Sequence, residues 1–145
     1  MNEKRHGMKR FFVLLLLLLP LCLSVNAQTK YDEEAEIVYV ACEYSPKFPG
    51  GEEALYAYFC NNLKYPEKAR EENITGRVFI TFIVERDGSL SNIKVLRDIG
   101  GGCGEEAVRV AKNMPKWKPG QHRGETVRVQ YTMPVLFNFN ENNNK

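Results

Sequence analysis

Histidine is almost missing from this 145-residue chain, which holds only His6 and His122. Cysteine is scarce and scattered: Cys22, Cys42, Cys60 and Cys103 include no Cys-x-x-Cys pair. One histidine beyond residue 27 and cysteines this far apart give no zinc-ligand spacing, so no metal site is expected. The same scarcity removes a thioredoxin-like redox motif and leaves no nucleophile–base–orienter set. The expectation is therefore a non-enzyme, with no catalytic residues and no cofactor. Eleven glycines and seven prolines are ordinary usage, which excludes collagen-like and low-complexity classes. A strong excess of one charge is missing too. The formal net charge is +2, and Lys4, Arg5, Lys9 and Arg10 against Glu3 are worth +3, so residues 28–145 carry −1. A near-neutral chain has no global attraction to nucleic acid or anionic lipid. What is present, 43% hydrophobic residues and no internal repeat, suffices for one ordinary core.

One long apolar run stands out, at the N-terminus. The basic stretch from Lys4 to Arg10 leads into Phe11-Phe12-Val13, six leucines, and Pro20-Leu21-Cys22-Leu23, then Ser24-Val25-Asn26-Ala27. Basic flank, apolar run and a Val-x-Ala site before Gln28 read as a secretory signal peptide. As a helix the run would span ~20 Å, short of the ~30 Å hydrocarbon core. Export to a bacterial periplasm is expected. An uncleaved signal would instead anchor the chain in the inner membrane.

Residues 28–47 form an acidic extension with one short strand candidate, Ile37-Val38-Tyr39-Val40. Pro46-Lys47-Phe48-Pro49-Gly50-Gly51 breaks the chain. Glu52 and Glu53 then favour a helix start, and Leu55, Tyr58, Phe59 and Leu63 recur at helical spacing. Pro66 is placed as the first residue of a second, short helix. Residues 78–84 are apolar on both alternating faces, as a central strand requires. Asp87-Gly88 supplies a tight turn, with residues 90–96 returning as a hairpin partner. Glu105 and Glu106 open a helix that Pro115 stops. From Thr126 to Phe139 the odd positions are all apolar, predicting one long strand with one buried face. The fold class is α+β: a three-stranded antiparallel sheet with two main helices packed on one face. The expected organisation is a signal peptide at 1–27, an extension at 28–47, a domain at 48–139 and a polar tail at 140–145.

Tyr65-Pro66-Glu67-Lys68-Ala69, Gly76-Arg77-Val78, Asp87-Gly88, Met114-Pro115-Lys116-Trp117-Lys118-Pro119-Gly120 and Pro134-Val135-Leu136-Phe137 follow in order, and together they resemble the TonB C-terminal domain family. The segment opening at Pro46 resembles its Bacteroidetes branch. Where family members commonly read Gln-Pro-x-Tyr-Pro, this chain has Asn62-Leu63-Lys64-Tyr65-Pro66. The resemblance implies an interaction module that captures the TonB box of TonB-dependent outer-membrane transporters by β-strand addition. It also implies coupling to an inner-membrane proton-channel complex. The alternative is a soluble periplasmic peptide- or peptidoglycan-binding domain that transmits no force. An exposed sheet edge further permits a homodimer. Nucleic acid is not an expected partner of an exported chain.

The candidate partner-binding residues are Arg128, Gln130 and Thr132, with Tyr65 and Pro66 of the shared motif. The last strand should border the central one and leave one edge free. Pro134 has no N–H and belongs with its nitrogen facing out, so residues 128, 130 and 132 should expose their backbone groups with it. Val127, Val129 and Tyr131 should pair inward. If a disulfide forms, Cys60–Cys103 is the expected pair, since both lie on or beside helices on one sheet face. Four further features carry two readings each. Gly100 to Gly104 is a phosphate cradle or a connection before a helix, and Glu105-Glu106 argue for the connection. Cys103 near a helix N-terminus is a reactive or an inert thiol. Trp117 is a binding aromatic or a loop anchor. Arg109, Lys112, Lys116, Lys118, Arg123 and Arg128 form an anion-gripping patch or a solvated basic face.

Overall fold

The computed structural model describes residues 37–139. The signal peptide, the first part of the extension and the polar tail lie outside the described residues. Helix α1 spans Gly51–Asn62 behind Gly50, whose φ of 87° only glycine adopts at low cost, and Glu52 and Glu53 occupy its first turn. It ends at Leu63, which turns extended and donates its N–H to the Phe59 carbonyl at 2.8 Å. Helix α2 is Glu67–Glu71. Pro66 precedes it as an extended cap (ψ 136°) rather than serving as its first residue.

Strand β1, Gly76–Val84, and strand β2, Leu90–Arg97, form a hairpin. Its turn closes through Gly88 N–H to the Glu85 carbonyl and Asp87 Oδ1 accepting from the Ser89 N–H at 2.9 Å. Helix α3, Cys103–Lys112, starts two residues before Glu105, because Gly102 (φ 86°) makes the turn into it. Strands β3, Gly120–His122, and β4, Glu125–Val127, make a small separate hairpin. Strand β5 is Val129–Phe137.

The main sheet is antiparallel in the order β2-β1-β5. Along β1, Val78, Ile80, Phe82 and Val84 are buried on the helical side. They share one core with Leu55 and Phe59 of α1, Ala69 of α2, Ala107, Val110 and Ala111 of α3, and Met133, Val135 and Phe137 of β5. α3 lies over β1 and β2. Tyr58 of α1 joins it by donating its hydroxyl to the Val110 carbonyl at 3.1 Å. On the opposite face Phe79 and Ile83 are half-buried and Thr81 is buried. This is the α+β architecture expected from the pattern, with two differences. The long strand breaks at Arg128, because β1 ends at Val84 opposite Val129 and residues 125–127 pair with β3 instead. The Ile37–Val40 candidate is no strand: Tyr39 alone bridges to Val129, and the chain bends at Val40 and Ala41.

Candidate functional site

β5 borders β1 on one side only, and its other side is an edge of the sheet. Inward pairs run Val84 to Val129, Phe82 to Tyr131 and Ile80 to Met133. Alternate residues therefore direct their backbone groups away from β1. Two of those outward groups are occupied by the chain's own N-terminal extension. Tyr39 donates its N–H to the Arg128 carbonyl at 2.8 Å and accepts from the Gln130 N–H at 2.9 Å. Two residues on, Thr132 presents both its N–H and its carbonyl outward. Neither they nor the Gln130 carbonyl meets a partner among the described residues. Pro134, exposed and opposite Phe79, has no donor to offer at the next outward position.

The side chains along this edge are fixed from below. Arg128 donates to Glu85 through Nε at 2.7 Å and Nη2 at 3.1 Å, which holds the Glu85 carboxyl below its ordinary range. Thr132 and Thr81 hydroxyls meet at 3.2 Å. Two hollows flank the edge. One, of ≈ 360 Å³, lies between Val40–Cys42 and Ser45–Pro46 of the extension and residues 129–132 of β5. The other, of ≈ 370 Å³ and mostly apolar, lies between Leu55, Tyr56, Phe59, Cys60 and Leu63 of the α1 segment and Tyr131 and residues 133–136 of β5. The arrangement offers a partly unpaired strand edge beside an apolar groove, a geometry suited to backbone recognition.

Tyr65 and Pro66 are not on this edge. Tyr65 is 8% exposed, its hydroxyl donates to the Ile74 carbonyl, and its ring stacks on Phe139 at 4.8 Å and meets Phe137 edge-on. Its bulk and its polar tip are both used inside the fold. Pro66 caps α2. Cys60 and Cys103 are free thiols, Cys60 half-buried in the groove wall and Cys103 wholly buried. The reactive reading of Cys103 is not supported. Burial, with the negative Asp98 adding to it, pushes the thiol up to about 11, which outweighs any lowering by the helix terminus.

The glycine loop holds an internal anion instead of a phosphate. Asp98 Oδ1 accepts from the N–H groups of Ile99 (2.7 Å), Gly100 (3.1 Å) and Gly104 (3.0 Å). A Cβ on Gly104 would lie 2.5 Å from Asp98 Oδ2, so that glycine makes room for the carboxylate. Trp117 is 3% exposed and anchors the loop after α3, packed edge-on against Phe48, Phe82 and Tyr131. The basic residues are not one free patch, because Arg109 pairs with Glu106, Lys116 with Asp87 and Arg128 with Glu85. Burial works against the Glu106 carboxylate, but bonds from Arg109 and from the Lys64 N–H hold its pKa below the ordinary value. Among the described residues no group of three His, Cys, Asp or Glu could hold a metal ion. No described helix is long and apolar enough to cross a membrane.

Sequence reasoning overlooked Tyr39 and Asp98. Tyr39 lay inside a recognised apolar alternation, but its partner is distant in sequence. Nothing local marked Asp98.

A family model described as the Gram-negative bacterial TonB protein C-terminal matches residues 61–139. Solution structures of two such domains are similar to this chain. That of Helicobacter pylori TonB, residues 194–285, is 23% identical, covers 61% of this chain and 94% of its own, and superposes with a TM-score of 0.47. That of Pseudomonas aeruginosa TonB is 29% identical over 52% of this chain and 77% of its own, with a TM-score of 0.40. No curated protein matches the chain.

Proposed function

The chain belongs to the TonB C-terminal family, and from that premise we propose that it is a periplasmic capture module for TonB-dependent outer-membrane transporters, acting in energy-coupled transport. An extended transporter segment, the TonB box, adds to β5 as an extra strand. Residues 1–27 export the chain to the compartment where that segment is presented.

The observation that carries this reading is the outward backbone of Thr132, unpartnered among the described residues, next to the Gln130 carbonyl and between Tyr131 and Met133, which line the apolar groove of α1 and β5. Main-chain bonds give such a complex its affinity, and the groove gives it side-chain discrimination. Four backbone bonds at ~0.5–1.5 kcal/mol net amount to ~2–6 kcal/mol, an affinity suited to a coupler that binds and releases repeatedly.

Titration with a synthetic TonB-box peptide tests it. Thr132→Pro removes an outward donor and no ladder bond, so the protein should fold nearly normally and bind roughly 2- to 12-fold more weakly. Val129→Pro removes the inward bond to Val84 and should destabilise the domain. Undiminished binding by a folded Thr132→Pro protein would mean that β5 is not the docking edge. Position 130 is less clean, because a proline there also frees Tyr39.

A further inference from the structure

We propose that residues 37–43 of the N-terminal extension are a strap that covers half of the β5 edge and must swing away for a full-length strand to add; this rests on the reading of β5 as the docking edge. The Tyr39 bridge to Val129 is parallel, and a parallel bridge uses the carbonyl of one outward residue and the N–H of the next. Upstream of Pro134, β5 can form two such complete bridges. Arg128 carbonyl with Gln130 N–H makes the first, and Gln130 carbonyl with Thr132 N–H makes the second. Tyr39 holds the first. Beyond Thr132 the missing N–H of Pro134 interrupts the series. An incoming strand thus finds one complete bridge while the strap is down and two once it lifts.

The strap also walls the bridge it leaves open. Val40, Ala41, Cys42, Ser45 and Pro46 bound the hollow beside Gln130 and Thr132, through which an added strand has to pass. Its hold on the edge is slight, and its hinge is firm. Tyr39 makes one bridge and a tilted ring contact with His122 at 5.2 Å, while the adjacent Ile37 and Val40 are 55% and 82% exposed. Downstream, Tyr44 exchanges both backbone bonds with Gln121 (3.0 and 2.9 Å), and Lys47 does so with Lys118 (3.0 and 2.8 Å). Those anchors keep the segment attached while residues 37–43 move. A tethered segment at high local concentration lowers the apparent affinity of any competitor by the fraction of time it occupies the edge.

The full exported chain, its Tyr39→Pro variant and a Val40→Pro control decide the matter. Tyr39→Pro removes the donor to Arg128, whereas the Val40 N–H makes no bridge among the described residues. Amide exchange at Gln130 should be at least several-fold faster in Tyr39→Pro than in the other two proteins, with the thermal melt of the domain nearly unchanged. Affinity for a TonB-box peptide should rise roughly five-fold or more in Tyr39→Pro alone, as a second two-bond bridge becomes available. Unchanged Gln130 exchange in Tyr39→Pro, or a peptide affinity equal to or below that of the unaltered chain, would overturn the strap. Faster Gln130 exchange with no peptide binding by any of the three proteins would uphold the strap as an edge cover and contradict the transporter reading instead.

Discussion

The backbone of Trp117 rests directly on Gly88: the Trp117 N–H donates to the Gly88 carbonyl at 2.8 Å, and a Cβ on Gly88 would lie 2.0 Å from the Trp117 carbonyl oxygen. The β1–β2 turn and the loop after α3 are thereby held together at a point where only glycine fits. Gly88 also has φ +85°, so a side chain there is strained even without the clash. Trp117 in turn presents its ring to Phe48, Phe82 and Tyr131.

Gly88→Ala should therefore cost more than about 2 kcal/mol, enough to lower the melting temperature by several degrees or more. Urea unfolding of the two proteins measures it. A loss below about 0.5 kcal/mol would mean that the contact yields without strain.

Tyr65→Phe should separate a packing residue from a partner contact. The variant leaves the Ile74 carbonyl without its donor and keeps both ring contacts, so stability should fall by about 1 kcal/mol. TonB-box peptide affinity should stay unchanged. A folded Tyr65→Phe protein with weakened binding would return Tyr65 to the binding set.

Glu85 should contribute to the acid limb of stability. The Arg128 guanidinium, with Ser91 adding a bond, holds its carboxyl below the ordinary 4.5. A group whose folded pKa is depressed adds stability above its unfolded pKa and loses it as pH falls through the folded value. Unfolding free energies at about pH 7 and about pH 3 should therefore differ less in Glu85→Gln than in the unaltered chain. Equal acid losses in the two proteins would show that the pair is not formed.

Cys103 should be silent toward alkylation while the domain is folded. Its thiol is pushed up to about 11 and is wholly buried, whereas Cys42 and Cys60 are half-exposed. Iodoacetamide at about pH 8 followed by peptide mapping should label Cys42 and Cys60 and spare Cys103 until denaturant is added. Labelling of Cys103 in the native protein would reopen a thiol role.

What could be read from the residues was whatever local pattern decides. The two apolar faces of residues 78–84 and the alternation from Thr126 to Phe139 gave a central and a bordering strand, and Pro134 pointed to the free side, because side-chain period and a missing N–H are properties of a few neighbouring residues. The break at Arg128 was not legible, since it depends on where β1 stops, at Val84. The β3–β4 hairpin was not legible either, because three residues a side are too few to show alternation, and Thr126 and Val127 continue the apolar period of the long strand. Tyr39 on Arg128 and Gln130 joins residues some ninety positions apart. Asp98 folds into a glycine loop through contacts that no spacing rule announces. Tyr65, named among the partner-binding residues on the shared motif alone, has its ring and hydroxyl used inside the fold, because a motif shared across a family marks the residues that hold the fold as readily as those that touch a partner.

The most direct measurement is amide hydrogen exchange of residues 28–145 with and without a TonB-box peptide. Strand addition to β5 predicts that the Thr132 N–H, unpartnered among the described residues, becomes strongly protected on binding, while the inward amides of Val129 and Tyr131 keep the protection that β1 already gives them. Binding that leaves Thr132 exchanging freely, or that protects the outer edge of β2 instead, would contradict the account.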